Sequence, residues 1–230
     1  MKIQEYIDLN KCERNFAKRI ILMLIDTFRL EVPCDIQNSE EFCVTFEGLT
    51  IPRWHPWNRI GEYKTALSKD RLYMIKQFAE VAPAGGKFIE CGVFSGGVTR
   101  MLLDMGKPVI AFDTFHGIKN STPDVDLHED GQYDGGDVSK YIFGAEIVKG
   151  IIPETFSGRD DKISFAHIDL DVYLPTKFSL EYVFPRLLDG GAIILDDYGS
   201  WTTPGVRKAV DEFHEGKKIY LPTGQMVIIK

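Results

Sequence analysis

The second half of the chain alternates short apolar runs with segments of helical period. The apolar runs are rich in β-branched and aromatic residues and predict strands: KFIECGV (87–93), PVIAFDTF (108–115), EIVKG (146–150), ISFAHIDLD (163–171) and GAIILDDY (191–198). Helices are predicted between some of these strands, over GGVTRMLLDMG (96–106) and KFSLEYVFPRLL (177–188). Because alternating β and α units build a mainly parallel sheet with helices on both faces, we expect an α/β fold.

The end of the chain changes this pattern. A helix is predicted over PGVRKAVDEFHEG (204–216), with Pro204 in its first turn and Gly216 at its stop. Two β-rich runs, KKIYLP (217–222) and MVIIK (226–230), follow with only a short turn between them. A connection this short joins antiparallel strands, so we expect a C-terminal hairpin near an edge of the sheet.

The N-terminal part has a different composition and pattern. Apolar residues recur at helical spacing between Ile3 and Leu30, and residues 40–52 alternate enough to predict a short strand or hairpin. Ser68 begins a predicted helix that continues into LYMIKQFAEVA. We therefore divide the chain into an N-terminal helical cap region, residues 1–67, and a core, residues 68–230.

Composition and charge narrow the class of protein. The chain has 230 residues, 44% of them hydrophobic, and a formal net charge of −7, which argues against nucleic acid as the main partner. The start lacks the apolar stretch of a signal peptide, and the run Ile20–Ile25 is far shorter than the ~20 residues of a membrane span. The four cysteines follow no metal-ligand spacing. We expect a cytoplasmic protein with free thiols and no membrane partner.

Two acidic pairs end two of the predicted strands. Asp169 and Asp171 close HIDLDVY, and Asp196 and Asp197 close AIILDDYG. Strands joined by a crossover helix are parallel neighbours about 4.8 Å apart, so their carboxyl ends, and these carboxylates, should meet at one place. Like charges gathered there need a counter-ion, and a hard divalent cation such as Mg²⁺ is the usual one. A structural role as strand-end caps is the alternative.

A glycine-containing turn, ECGVFSGG (90–97), joins the first predicted strand to the next helix. Glycine lets the backbone approach a ligand, and the helix N-terminus offers free N–H groups. It is not a GxGxxG fingerprint, because Glu90 stands at the first glycine position. A carboxylate there tolerates a sulfonium and ammonium better than a pyrophosphate, and Asp113 after the second strand is placed to bind ribose hydroxyls. These features favour S-adenosylmethionine over NAD, with a salt-bridge role for Glu90 as the alternative.

A long insertion, residues 119–144, follows the second strand and is rich in Asp and Gly. It should lie over the same sheet edge as the acidic pairs, so we predict a lid, with a solvated acidic loop as the alternative. His116 and His128 lie near the expected site and are candidate bases, although a structural or solvated role is equally open.

The motifs FIECGVFSGG, AFDTFHG and HIDLDVYLPTKFSLEYVFPRLLDGGAIILDDYG, followed by PGVRKAVDEF, resemble the macrocin O-methyltransferase family. The similarity runs from about Ser68 to Phe213. The family consists of Mg²⁺-dependent enzymes that use S-adenosylmethionine to methylate sugar hydroxyls in antibiotic pathways. The resemblance implies the class I methyltransferase (Rossmann-like) fold, a seven-stranded sheet. The chain departs from the family where many members have Thr-Gly-Val-Trp-Arg, since Ser95 stands in place of the Arg.

The resemblance also implies roles for individual residues. Asp169, Asp196 and Asp197 would bind the metal, and Asp171 would be the general base. VKGIIPETF (148–156) resembles the segment near the adenine. The predicted cofactor-binding residues are Glu90, Gly92, Ser95, Gly96, Asp113, Thr114, Gly150, Ile151 and Asp169.

The sequence therefore predicts a Mg²⁺-dependent O-methyltransferase that acts on a hydroxyl of a sugar or another small-molecule diol, in a secondary metabolite or a surface glycan. A homodimer is a further expectation. The alternatives are a nicotinamide-dependent oxidoreductase, a non-catalytic S-adenosylmethionine-binding protein and, less well supported, a metal hydrolase.

Overall fold

The computed structural model describes residues 60–230 and, before them, the backbone of two short strands. These strands, β1 (Thr45–Phe46) and β2 (Leu49–Thr50), pair antiparallel, which confirms the hairpin predicted within residues 40–52. The helices predicted between Ile3 and Leu30 lie outside the described residues. The chain divides into two compact units, Met1–Pro56 and Trp57–Lys230.

The second unit contains the predicted alternation of strands and helices. Its helices are α1 (Lys69–Val81), α2 (Gly97–Asp104), α3 (Tyr173–Arg186) and α4 (Pro204–Glu212). Its strands are β3 (Lys87–Cys91), β4 (Val109–Asp113), β5 (Glu146–Lys149), β6 (Ile163–Ile168), β7 (Leu187–Leu195), β8 (Lys217–Tyr220) and β9 (Met226–Ile229). A short 3₁₀ helix covers Glu154–Phe156. Helix α3 begins earlier than predicted, since Pro175 lies within its first turn, where a missing N–H leaves no helical bond unmade.

The seven strands form one sheet in the order β5-β4-β3-β6-β7-β9-β8. Strands β3 to β7 run parallel to one another, and β9 runs antiparallel to both β7 and β8. The predicted fold, a mainly parallel sheet with a C-terminal antiparallel hairpin, is confirmed. All five strand ends that carry predicted site residues, those of β3, β4, β5, β6 and β7, therefore lie on one edge of the sheet.

Each face of the sheet carries its own hydrophobic core. Ile89 and Cys91 of β3 pack in one cluster with Leu180 of α3 and Val210 of α4. The alternate β3 residue, Phe88, packs on the other face in a cluster that includes α1, α2 and Ile60. Because successive strand residues point to opposite faces, one strand serves both cores, and full burial of each such side chain contributes about 1.5–3 kcal/mol.

The structure describes only some of the residues that the predictions about cysteines and membrane spans concern. Cys91 is a free, buried thiol, and burial raises its pKa to about 12. The other cysteines lie outside the described residues. None of the helices in the described part of the chain is both long and apolar enough to cross a membrane.

Candidate active site

The acidic pairs meet at the carboxyl edge of the sheet, as predicted from their positions at strand ends. Asp169 follows β6, and its amide donates to the carbonyl of Cys91 at 2.8 Å. Asp196 follows β7, and its amide donates to the carbonyl of Ile168 at 3.1 Å. The ladder hydrogen bonds thus continue past the strand ends, and they place the Asp169 segment beside β3 and the Asp196 segment beside β6.

Three carboxylates form a cluster that could hold a cation. Oxygen atoms of Asp169, Asp171 and Asp197 all lie within 4.8 Å of one another. Asp171 has a positive φ of 62°, which turns the chain sharply after β6. Burial and, next, the charge of Asp197 raise the pKa of Asp171 to about 8. Burial and the neighbouring carboxylates also raise the pKa of Asp169 well above its ordinary value. Oxygen ligands that repel one another in this way suit a hard divalent cation.

Asp196 has different surroundings from this trio. It is 1% exposed, and its Oδ2 accepts a hydrogen bond from Arg71 Nη1 at 2.5 Å. Its Oδ1 accepts from Gln225 Nε2 at 2.8 Å. The structure therefore groups Asp171 with Asp169 and Asp197, whereas the predicted ligand set was Asp169, Asp196 and Asp197. Both Asp196 oxygens have protein partners in the structure, and the predicted ligand roles stay predictions.

Arg71 and Gln225 were missed from the sequence. Arg71 lies in the first turn of α1 and Gln225 at the start of the turn into β9. The only sequence signal was indirect: a buried acidic pair requires a cationic or hydrogen-bonding partner, and an arginine stands at the start of the predicted helix.

The glycine turn makes a close approach to the acidic segment. Gly92 has a φ of +88°, and a Cβ at this position would lie 1.7 Å from the carbonyl oxygen of Asp169. Gly96 has a φ of +84° and is the N-cap of α2, beside Ser95, whose hydroxyl donates to the carbonyl of Lys64 at 2.8 Å. The contact with Lys64 was not predicted, and it fixes residues 60–68 against the turn.

Glu90 lies beneath this turn, at 2% exposure. It accepts a hydrogen bond from the hydroxyl of Thr99 on α2, and His167 Nδ1 lies 3.6 Å from its Oε1. Burial raises the pKa of Glu90, and the partial compensation comes from His167 and Thr99. The predicted place of Glu90 at the cofactor's charged end stays a prediction.

Asp113 binds the turn itself. Its Oδ2 accepts from the amides of Val93 at 2.6 Å and Phe94 at 3.0 Å, and its Oδ1 accepts from the amide of Phe115 at 2.6 Å. The predicted contact with ribose hydroxyls stays a prediction, and the structure adds a second task, which is to hold the glycine turn against the end of β4.

The other predicted cofactor residues lie on the adjoining loops. The Thr114 hydroxyl donates to the carbonyl of Gly117 at 2.6 Å. The amide of Gly150 donates to the carbonyl of Asp113 at 3.0 Å, and Ile151 next to it is 38% exposed. The residues predicted to bind the cofactor thus come from the ends of β3, β4, β5 and β6 at the same edge.

The insertion, residues 119–144, contains no helix or strand, and all of its residues are described. Ile142 is fully buried in a small core with Val93, Ala111 and Phe115. Asp126 accepts hydrogen bonds from the amide of Thr122 at 2.7 Å and from the amide of Tyr173, the first residue of α3, at 2.9 Å. The insertion is therefore fastened to the carboxyl edge at two places.

Aromatic side chains of the insertion face the turn and the acidic cluster. The Tyr133 ring packs edge-on against Phe94, with centroids 6.2 Å apart, and against His128 at 5.3 Å. Burial and the charges of Asp171, Asp197 and Asp169 raise the pKa of Tyr133. His128 Nδ1 lies 2.9 Å from Gln132 Oε1, and His116 is exposed, so neither histidine contacts the acidic trio through a hydrogen bond in the described structure.

Comparison with known proteins bears on both the fold and the sequence. The model of the macrocin O-methyltransferase (TylF) family matches residues 144–228, which include both acidic pairs. The solved structure of the O-methyltransferase NovP is 22% identical, with a TM-score of 0.63 over 72% of this chain and 81% of that chain. The structure of CalS11, a calicheamicin methyltransferase, is 22% identical, with a TM-score of 0.57 over 70% of this chain and 76% of that chain. No curated protein matches the chain in sequence.

These findings support two conclusions of different kinds. The two solved structures show that the fold is that of class I methyltransferases, as predicted. The family match confirms the resemblance over residues 144–228, where the acidic pairs and the crossover helix between them lie. The match to the macrocin O-methyltransferase family over residues 144–228 supports the enzyme class predicted from the sequence, an S-adenosylmethionine-dependent O-methyltransferase.

Proposed function

We propose that the protein transfers the methyl group of S-adenosylmethionine to a hydroxyl of a sugar or another small-molecule diol, with Mg²⁺ bound at the carboxyl edge of the sheet. The observation that carries the proposal is the trio Asp169, Asp171 and Asp197, whose oxygens lie within 4.8 Å of one another. The trio lies beside the glycine turn, since Gly92 and Asp169 touch. A cation site and a cofactor turn in contact are what metal-assisted methyl transfer requires.

The residues present fit both absent groups. Asp169 and Asp197 would hold the cation, with Asp196 retained as a predicted ligand and Asp171 beside them free to act as a base, because clustered carboxylate oxygens are the ligands that Mg²⁺ prefers. The backbone at Gly92 and Gly96 would admit the cofactor, because both lie in the left-handed region without a side chain. When bound, the cofactor supplies an electrophilic methyl group and the cation lowers the pKa of the attacked hydroxyl.

The protein's own residues would then position the acceptor and take its proton. Asp171 lies in the trio and is the proposed general base: its carboxylate would accept the proton of the attacked hydroxyl, while the bound cofactor would supply the methyl group. Its pKa of about 8 in the metal-free protein would fall beside a cation, which favours the ionised form that can accept a proton. His116 and His128 stay alternative bases.

The insertion would cover the acceptor side. Asp126 and Ile142 fasten it to the carboxyl edge, and Tyr133 lies near enough to the acidic trio for those charges to raise its pKa. We propose that this lid excludes water and contacts the acceptor. The calicheamicin methyltransferase CalS11 and the O-methyltransferase NovP support a small-molecule acceptor of the antibiotic-pathway type. A homodimer, a cytoplasmic location and the lack of a nucleic-acid partner belong to the same proposal.

The first test is calorimetric titration of S-adenosylhomocysteine into the purified protein, with Mg²⁺ and with EDTA, beside an NAD⁺ titration. We expect micromolar binding of the thioether and none of NAD⁺. Binding of NAD⁺ instead would favour the oxidoreductase alternative. No binding of either would remove the roles given to Glu90 and Asp113.

Turnover is tested next, with isotopically labelled S-adenosylmethionine and a panel of sugar and catechol diols. Label should pass to an acceptor with Mg²⁺ and not with EDTA. Asp196→Asn should abolish this turnover while S-adenosylhomocysteine still binds. Binding of the cofactor without transfer to any acceptor would favour the non-catalytic alternative.

A further inference from the structure

The charges at the carboxyl edge do not balance without Arg71. The trio and Asp196 together place several carboxylates in a small, largely buried region. Every ion pair that the described residues make with Asp196 or Asp197 comes from Arg71 Nη1, which lies 2.5 Å from Asp196 Oδ2 and 2.9 Å from Asp197 Oδ1. The guanidinium of Arg71 is positively charged, because an arginine keeps its charge in proteins. One guanidinium nitrogen thus bridges the consecutive aspartates.

Arg71 is held in this place by the fold. Its side chain is 25% exposed, and its Nε donates to the carbonyl of Thr223 at 3.3 Å. Gln225, on the same turn, is fully buried and donates to the other oxygen of Asp196 at 2.8 Å. Helix α1 and the β8–β9 turn therefore close over Asp196 from two sides, and the charge of Arg71 is directed at Asp197.

Asp197 is shared between two groups. It belongs to the trio whose oxygens lie within 4.8 Å of one another, and it also accepts the hydrogen bond from Arg71. A divalent cation among the trio would lie only a few ångströms from the guanidinium, and like charges at such separations repel strongly in a partly buried site. The Asp197 carboxylate therefore cannot bind the cation and pair closely with Arg71 at the same time without weakening one of the two interactions.

We infer that Arg71 is an internal counter-ion that competes with the divalent cation for Asp197, an inference that rests on the metal site of the proposed function. Without metal, Arg71 bridges Asp196 and Asp197 and stabilises the carboxylates. When the cation binds the trio, Arg71 keeps its contact with Asp196, and Asp197 turns to the cation. Arg71 is in this sense a positioning residue that lowers metal affinity and keeps the metal-free site folded.

The test uses Mn²⁺ as the probe, with free Mn²⁺ measured by its electron paramagnetic resonance signal in the full-length protein. Arg71→Gln should bind Mn²⁺ about tenfold more tightly than wild type, because a positive charge has been removed beside the site. Arg71→Lys keeps the charge and should stay within about threefold of wild type on the same reasoning. Arg159→Gln is the matched control, since Arg159 also bridges two carboxylates, Glu146 and Asp161, away from this edge.

A stability readout separates competition from simple loss of an ion pair. In EDTA, Arg71→Gln should unfold at a lower temperature than wild type, and Mn²⁺ should raise its unfolding temperature by more than it raises that of wild type. Equal Mn²⁺ affinity in the variant, or weaker affinity, would overturn the inference, because Arg71 would then assist the metal or ignore it. An equal loss of stability with and without Mn²⁺ would overturn it as well.

Two further variants keep the test decisive if Arg71→Gln does not fold. Asp196→Asn removes the buried acid that Arg71 neutralises, so the pair Asp196→Asn and Asp196→Asn/Arg71→Gln can be compared, and the double variant should bind Mn²⁺ more tightly than the single one. Failure of wild type and every variant to bind Mn²⁺ would overturn both the competition and the metal part of the proposed function. Mn²⁺ binding that is equal in all of them would overturn only the competition.

Discussion

The two edges of the sheet carry the same types of charged residue in opposite electrostatic states. At the amino edge, Lys87 lies 2.9 Å from Asp161 and 3.1 Å from Glu146, and Arg159 pairs with both acids at 2.9 and 2.7 Å. The hydrogen bond from Arg159 lowers the pKa of Glu146. Burial raises the pKa of Asp161, but Lys87 and Arg159 outweigh it and lower the pKa overall.

At the carboxyl edge the balance is reversed. Asp169, Asp171 and Asp197 face one another, and burial with mutual repulsion raises the pKa values of Asp169 and Asp171. A network that only stabilises the fold can match every acid with a base. A site that must bind a cation and take a proton keeps carboxylates without a basic partner, and the mutual repulsion of these carboxylates lowers the stability of the fold.

The largest expected effect separates activity from stability. Asp171→Asn at the carboxyl edge should lower turnover about 10²–10⁴-fold, because the proposed base is lost, while leaving the unfolding temperature unchanged or higher. Asp161→Asn at the amino edge should leave turnover intact and lower the free energy of unfolding by about 1 kcal/mol, because Lys87 and Arg159 lose a partner. Methyl-transfer assays and urea unfolding on both variants measure this contrast. Equal turnover in the two would contradict the role of Asp171.

The glycines that flank β3 offer a contrast in packing. Gly92, after the strand, has a φ of +88° and would place a Cβ 1.7 Å from the Asp169 carbonyl oxygen. Gly85, before the strand, has a φ of +98° with no atom near such a Cβ. Gly85→Ala should cost about 1 kcal/mol of unfolding free energy from backbone strain alone, and Gly92→Ala about 3 kcal/mol or more. Similar costs in urea unfolding would mean that the close approach at Gly92 relaxes easily.

A smaller effect is expected where the insertion is fastened. Asp126→Ala removes the acceptor of the Tyr173 amide at the start of α3, which should cost about 1 kcal/mol and speed amide hydrogen exchange across residues 119–144. Asp130→Ala is the control, since Asp130 accepts hydrogen bonds from Ser121, which lies within the insertion itself. Faster exchange in both variants to the same degree would show that Asp126 is no special anchor.

The smallest effect concerns pH at the amino edge. Because Glu146 and Asp161 have lowered pKa values in the fold, their stabilisation is present above their ordinary values and is lost as the pH falls through the folded ones. The difference in unfolding free energy between wild type and Arg159→Gln should be a few tenths of a kcal/mol at pH 7 and should become smaller as the pH falls below the ordinary carboxyl range. Urea midpoints between pH 3 and pH 7 measure it, and a difference that grows on acidification would have the wrong sign.

Features that depend on local sequence pattern could be predicted from the sequence. Contacts between residues far apart in the chain could not. The mainly parallel sheet with its C-terminal hairpin and the meeting of the acidic pairs follow from period and connection length, and both were correct. The pairing of Arg71 with Asp196 joins residues 125 positions apart, so no local pattern signals it. Asp113 illustrates a second limit: its place after β4 was predictable, but its bonds to the amides of Val93 and Phe94 depend on how the turn folds back.

The contacts that Asp126 and Ile142 make at the two ends of the insertion affect which parts of such a protein can change in evolution. Between Asp126, which holds the start of α3, and Ile142, which fills a small core, the chain adds no strand to the sheet and no helix to its faces. Mutation and even changes of length within this stretch would leave the sheet and the acidic trio in place. A gene duplicate could therefore acquire a new acceptor by altering residues 127–141 while inheriting its cofactor chemistry intact.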